Sequence, residues 1–139
     1  MRCLLLLALA CSAFAVPAHA TQVIVDLQGV RAGPGRLHVT VQNRAQFMQD
    51  GRVTGTGLRA PAAGSHRFTF DLPPGEYAIS VWHDDNGNGA FDKDAGFMPL
   101  DGWAMTNSAQ LRGEPTFDVV RTVVGETPVN VTLSMNYRR

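Results

Sequence analysis

Beyond position 11 the chain contains no cysteine, because its two, Cys3 and Cys11, both lie near the N-terminus. The remainder therefore carries no disulfide framework and no thiol. It also lacks an excess of either charge: 12 Lys and Arg face 12 Asp and Glu, for a formal net charge of zero. That balance excludes the electrostatic footprint of a nucleic-acid or acidic-membrane binder. After the first residues no apolar run approaches the about 20 residues of a membrane-spanning helix. No stretch of a dozen residues keeps a capped helical period, and no repeat, linker or low-complexity segment divides the chain. A catalytic constellation is missing as well. His38, His66 and His83 do not stand in a zinc-binding spacing, and Ser65, Ser80, Ser108 and Ser134 lack a nucleophile-elbow context. His83 with Asp84 or Asp101 is the one pairing to which a hydrolase mechanism could be attached, and its ordinary role is to support a strand end. No enzyme is expected.

What is present begins with a leader. Arg2, the apolar run Leu4–Leu5–Leu6–Leu7–Ala8–Leu9–Ala10 and the small-x-small site Ala18–His19–Ala20 read as a signal peptide over residues 1–20. A single domain is then expected over residues 21–139, periplasmic or secreted and not integral to a membrane. Leu9–Ala10–Cys11 supports an alternative, a lipoprotein anchored at Cys11, but the leader before it would be very short. Without disulfides, the exported domain must be held by packing or by a bound ion.

Apolar and polar residues alternate with period two in five places. The apolar members are Val23, Val25 and Leu27; Leu37, Val39 and Val41; Phe68, Phe70 and Leu72; Tyr77, Ile79 and Val81; and Val129, Val131, Leu133 and Met135. A further short strand is expected at Arg121–Val124. The turn signals Gly33–Pro34–Gly35, Pro61–Ala62–Ala63–Gly64, Pro73–Pro74–Gly75, Asn86–Gly87–Asn88–Gly89 and Gly125 to Pro128 separate these runs. Half-buried strands at such intervals predict an all-β, antiparallel sandwich of about seven strands. At one connection Pro74 and Gly75 suit the central positions of a type II turn, with a positive φ at Gly75. Tyr77, just beyond, is expected to return its hydroxyl to the backbone as a corner.

The chemistry concentrates in His83–Asp84–Asp85–Asn86–Gly87–Asn88–Gly89–Ala90–Phe91–Asp92–Lys93–Asp94. Counted from Asp84, oxygen-bearing side chains fall at the first, third and fifth positions (Asp84, Asn86, Asn88). Glycine follows at the sixth, Ala90 offers a carbonyl at the seventh, Phe91 is apolar at the eighth and Asp92 stands at the ninth. A hard cation demands six or more oxygens, and alternate residues of a tightly curled loop can supply them where glycine permits the bend. The pattern breaks at the twelfth position, where Ala95 replaces the bidentate glutamate. Asp94, or Asp101 from beyond the loop, is the expected substitute. With so few carboxylates, calcium is expected to bind weakly, at about 10⁻⁴–10⁻³ M. A plain solvated turn is the simpler alternative, since Asn and Gly also suit any tight connection.

From this loop onward the chain resembles a bacterial group of exported proteins, the domain-of-unknown-function family 2141. The resemblance rests on Leu72–Pro73–Pro74–Gly75–Glu76–Tyr77, the loop from His83 to Gly89 with Asp92, Gly96–Phe97–Met98–Pro99, Asp101–Gly102–Trp103, Asn107 and Gly113–Glu114–Pro115–Thr116–Phe117. Asp101, Ala104, Met105 and Thr106 depart from the residues usual there. The resemblance implies an immunoglobulin-like or transthyretin-like sandwich and export, and it brings no established activity or catalytic residue.

Phe97, Met98, Leu100, Trp103 and Met105 form an apolar stretch after the loop. It is expected to fold over the open end of the sandwich as a satellite core. Phe97, Trp103 and Met105 are alternatively a ligand surface, because Trp and Met are enriched at interfaces. The expected role is that of a non-catalytic envelope protein with a calcium-ordered loop, monomeric, partnered by an envelope component. The alternative is a calcium-assisted module recognising a glycan or peptide.

Overall fold

The computed structural model describes residues 19–138. The signal-peptide reading and the lipidation site at Cys11 thus lie, up to residue 18, outside the described residues. Eight strands form two sheets: β1 Thr21–Val30, β2 Arg36–Gln42, β3 Thr54–Arg59, β4 Gly64–Leu72, β5 Gly75–His83, β6 Gly102–Met105, β7 Arg121–Val124 and β8 Val129–Ser134. The first sheet runs β4-β1-β8 and the second β3-β2-β5-β6, with β7 also paired to β5. Among the described residues the only α-helix is the single turn α1, Phe117–Val120. The chain is an all-β sandwich. Among the described residues no helix is long and apolar enough to cross a membrane.

Alternation makes these strands and packs them. Val23, Val25 and Leu27 of β1 and Leu37, Val39 and Val41 of β2 turn inward and are almost fully buried. Tyr77, Ile79 and Val81 of β5 join them with Leu72, Val124 and Leu133 in one inter-sheet core. Apolar surface removed from water in this way contributes about 25 cal/mol per Å². The expected strand at Arg121–Val124 matches β7 residue for residue.

Besides the short strand β6, which no alternation announced, three features differ from the sequence reading. Strands β1 and β8 pair in parallel, Val23 opposite Val129 through Gln28 opposite Ser134. Alternation sets which face a side chain takes but not the direction of the neighbouring strand, and here the chain reaches β8 by leaving the opposite sheet after β7. Strand β3 has the sequence Thr54–Gly55–Thr56–Gly57–Leu58–Arg59, whose glycines erase the alternation. Gly75 does not take the positive φ of a type II turn. It opens β5 instead, and its missing side chain makes room for the Tyr77 ring, since a Cβ there would lie 3.2 Å from the Tyr77 hydroxyl. The corner itself forms: Tyr77 donates to the Pro73 carbonyl at 2.9 Å.

Strand β5 is the spine of the second sheet. One of its edges pairs with β2, while the other is shared by β7 along Gly75–Ala78 and β6 along Ser80–His83. Thr106 closes the gap between β6 and β7. It is buried, its N–H donates to the Ile79 carbonyl at 3.0 Å, and its hydroxyl donates to the Val120 carbonyl. On the outer face of this sheet a second cluster forms from Ala78, Phe117 and Val120, with Phe47 and Met105 packed against it. The rest of that face, around His38, Trp82 and Trp103, is only partly covered.

Candidate metal centre

Strand β5 delivers the acidic loop to one end of the sandwich. Asp84 follows the last residue of β5, and its N–H still donates to the Arg36 carbonyl at 3.0 Å. Its side chain is buried and turns into the loop that follows. One carboxylate oxygen accepts from the N–H groups of Gly87 at 2.8 Å and Asn88 at 3.0 Å, and the other from Gly89 at 2.9 Å. Gly87 and Gly89 both take φ +77°, a conformation that costs other residues a steric penalty. This is why glycines occupy those two places. The curl is therefore set by one carboxylate collecting three backbone donors.

The next side chains converge inside the curl. Asn86 and Asn88 direct their amide nitrogens at the same oxygen of Asp92, at 2.8 and 2.7 Å. Their amide oxygens hold the N–H groups of Asn88 at 2.9 Å and Ala90 at 2.8 Å. The third, fifth and ninth positions of the expected loop thus meet at one point. Chemically this is a set of carboxylate and amide oxygen donors, the kind that suits a hard cation. A carboxylate has about four acceptor sites, so Asp84 keeps one after its three N–H partners. Ligation by the two asparagines would require each amide to turn its oxygen inward.

The two expected completing carboxylates are placed elsewhere. Asp94 forms its own turn, accepting from Gly96 at 2.8 Å and Met98 at 3.0 Å and pairing with Arg138 at 2.5 Å. The Met98 N–H, followed by Arg138, holds its carboxyl below the usual carboxylate value. Asp101 is buried and serves as an anchor, its Oδ2 accepting from the Trp82 indole at 2.8 Å and from the Asp92 N–H at 3.1 Å. Among the described residues no three His, Cys, Asp or Glu side chains stand close enough to hold a metal ion together. Any site here relies on amide, backbone and water oxygens beside the aspartates.

The loop's foundations were not readable from spacing. Gly35 lies directly beneath it, and a Cβ at that position would come within 1.6 Å of the Asp84 carbonyl oxygen. His83 is wholly buried, with Nδ1 2.7 Å from the Tyr137 hydroxyl and Nε2 without a partner. Burial pushes its pKa below the ordinary histidine value, against the pull of Asp85, Asp101 and Asp84. Trp82 stacks on His38, with ring centroids 4.6 Å apart and planes 11° from parallel, and meets Phe91 edge-on. Only the one-residue offset of Trp82 from His83 on β5 hinted that it faces outward beside the loop.

The apolar stretch beyond the loop divides. Met105 joins the outer cluster with Phe117, as a satellite core requires. Phe97, Met98 and Leu100 remain exposed, Phe97 to 81%. Phe97 has φ +61° and is held in place by its N–H to the Asp94 carbonyl, so the Asp94 turn points its ring away from the sandwich. Trp103 lies opposite Trp82 in register and is bridged to Asn136. A shallow groove of about 240 Å³ runs between Met98, Pro99, Trp103, Asn136, Tyr137 and Arg138.

Two packed sheets with an acidic, glycine-bearing loop at one end define a class: β-sandwich domains whose connection between strands carries the polar chemistry. Over residues 25–132 the chain matches the family described as an uncharacterized protein conserved in bacteria, DUF2141, and it belongs to that family. Among curated proteins and solved structures nothing matches the chain.

Proposed function

We propose that the protein is an exported, non-catalytic β-sandwich of the bacterial envelope, with a structural or binding role, whose loop from Asp84 to Asp92 is ordered by calcium. The observation that carries this reading is the convergence of Asn86 and Asn88 on Asp92 within a curl closed by Asp84. A cation there offsets the mutual repulsion of the clustered carboxylates and exchanges hydrogen bonds within the loop for oxygen ligation. Magnesium, which dehydrates reluctantly and demands a strict octahedron, is the poorer occupant. The signal-like leader supports export. A non-catalytic role is supported by His83, the candidate base, whose ring is buried and engaged by Tyr137 and so closed to a substrate.

Calorimetric titration with calcium tests the site. The expected result is saturable binding at about 10⁻⁴–10⁻³ M, abolished by Asp92→Asn and much weaker with magnesium. Absence of heat in the parent protein, with an unchanged melting temperature in excess calcium, overturns the reading.

A second reading, recognition of a glycan or peptide, is favoured by the groove beside Trp103. At about 240 Å³ it falls below the usual range for enclosing a small molecule, so it suits a single ring or an extended chain lying across it. Quenching or a spectral shift of Trp103 fluorescence on adding oligosaccharides or peptides, lost in Trp103→Ala, supports this alternative.

A further inference from the structure

On the outer face of the second sheet the register places Gly55 opposite Thr40 and Gly57 opposite His38. Both glycines belong to the edge strand β3, so the face has a lane without side chains next to β2. Two arginines lie across it. A Cβ at Gly57 would meet Arg36 Nε at 2.6 Å, and a Cβ at Gly55 would meet Arg52 Cδ at 3.3 Å and its Nε at 3.6 Å. Residues 55 and 57 are two strand steps apart, about 6.6 Å along the strand, so the two arginine side chains cross neighbouring positions of one lane.

Among the described residues these cations have no carboxylate partner. The ion pairs among the described residues use Arg44, Arg67, Arg121 and Arg138. Asp50, two residues before Arg52, forms no ion pair with it among the described residues, and Asp84, whose charge reaches His38, spends both oxygens on loop N–H groups. Arg36 Nε is buried and without an acceptor. Arg59 stands opposite Arg36 in register, a like-charge pairing that costs stability unless an anion separates the two. Both Arg36 and Arg52 bear on His38, which stands between the lane and Trp82. Elsewhere this protein pairs its charges across strands, as Arg67 does with Asp26.

We propose that this lane is an oxyanion-binding site, in which a phosphate, sulfate or carboxylate group of a ligand lies over Gly55 and Gly57 and accepts hydrogen bonds from Arg36 and Arg52. Planar guanidinium donors suit such a group, with its oxygens at about 2.8 Å from the donor nitrogens. His38 backs the site, and the hydroxyl of Thr40 stands on the same face. The glycines matter because any side chain at Gly57 would push Arg36 out of the lane. The site draws no side chain from the acidic loop, although the Asp84 charge reaches His38.

Nuclear magnetic resonance of the Arg Nε–Hε and His ring signals tests the site, with inorganic phosphate, sulfate and acetate as probes at constant ionic strength. The expected result is a saturable shift of Arg36, Arg52 and His38 at millimolar anion, with Arg67 unmoved. The exposed Arg52→Gln substitution and Gly57→Ala, which collides mainly with the flexible end of Arg36, should each weaken binding about tenfold, the loss expected for one charge-assisted contact. The ranking of the three probes distinguishes a tetrahedral anion from a planar one. Shifts that grow linearly and equally at Arg67, or saturable binding that Arg52→Gln leaves unchanged in a folded variant, overturn the proposal.

Discussion

The hydroxyl of Tyr137 lies 2.7 Å from Nδ1 of His83, so the last residues of the chain seal the buried end of β5. Arg31 completes the seal. Its N–H donates to the same hydroxyl at 3.1 Å and its guanidinium lies 4.5 Å from the centre of the Tyr137 ring. The hydroxyl accepts that N–H and shares a second hydrogen bond with the neutral His83 ring. Burial keeps the tyrosine proton in place by raising its pKa. Removing this hydroxyl strands a buried ring nitrogen, so Tyr137→Phe should cost about 1–3 kcal/mol in denaturant unfolding. An unchanged midpoint would show that the seal contributes nothing.

Gly102 provides the space for that ring, because a Cβ there would meet Tyr137 Cε1 at 2.2 Å. Gly102→Ala should displace the tyrosine and lose more stability than Tyr137→Phe. Since both changes act on one contact, adding Gly102→Ala to Tyr137→Ala should cost little further, a non-additivity that a double-mutant cycle measures.

The loop depends on Gly35 in a different way. Its neighbours at 1.6 and 2.8 Å are the carbonyl oxygen and carbon of Asp84, which are backbone and cannot swing aside. Gly35→Ala should cost at least about 3 kcal/mol and speed amide exchange at Gly87 and Gly89, whose N–H groups depend on the Asp84 carboxylate. Normal exchange at both glycines in a stable variant would break the link between Gly35 and the loop.

Calcium should act through mass action. With a dissociation constant of about 10⁻⁴–10⁻³ M, raising calcium to about 10 mM stabilises the fold by about 1.4–2.7 kcal/mol, and a chelator removes that gain. Asp94→Asn, which lies in a separate turn held to Arg138, should leave the calcium shift in place while Asp92→Asn abolishes it.

Acid should weaken the protein in two separate windows. Burial lowers the pKa of both His38 and His83 from 6.5, so the folded state favours their neutral forms. The unfolded chain binds protons first as pH falls, and the stability they contribute is complete above about pH 6.5 and declines below it. Asp94 and Asp118 are lowered from 3.8, so their contribution fades only under more acidic conditions. His38→Phe, which keeps a ring stacked on Trp82, should flatten the first decline. Unfolding midpoints measured from about pH 7 to about pH 5 check the sign, and a rise on acidification would contradict it.

Much of this molecule is written locally. Val23 to Leu27, Leu37 to Val41, Tyr77 to Val81 and Val129 to Leu133 carry large apolar residues at every second position, and each became a strand with those residues inward. The offsets of Asp84, Asn86, Asn88, Gly89 and Asp92 foretold a curl in which the side chains at the third, fifth and ninth places meet. Both patterns are short-range, because a pleat repeats every two residues and a tight loop is built by neighbours. Strand β3 escaped notice because Gly55 and Gly57 have no side chains to alternate, and β6 because four residues inside an apolar run carry too little pattern.

Tertiary structure alone decided the remainder. It placed β8 parallel to β1, sent Asp101 to the Trp82 indole and Asp94 to Arg138, and set Gly35 under Asp84 and Tyr137 over His83. Each of these joins residues far apart in the chain or depends on how closely two backbones approach. Alternation determines which way a side chain faces, whereas the partner it meets is settled only when the two sheets close on a shared core.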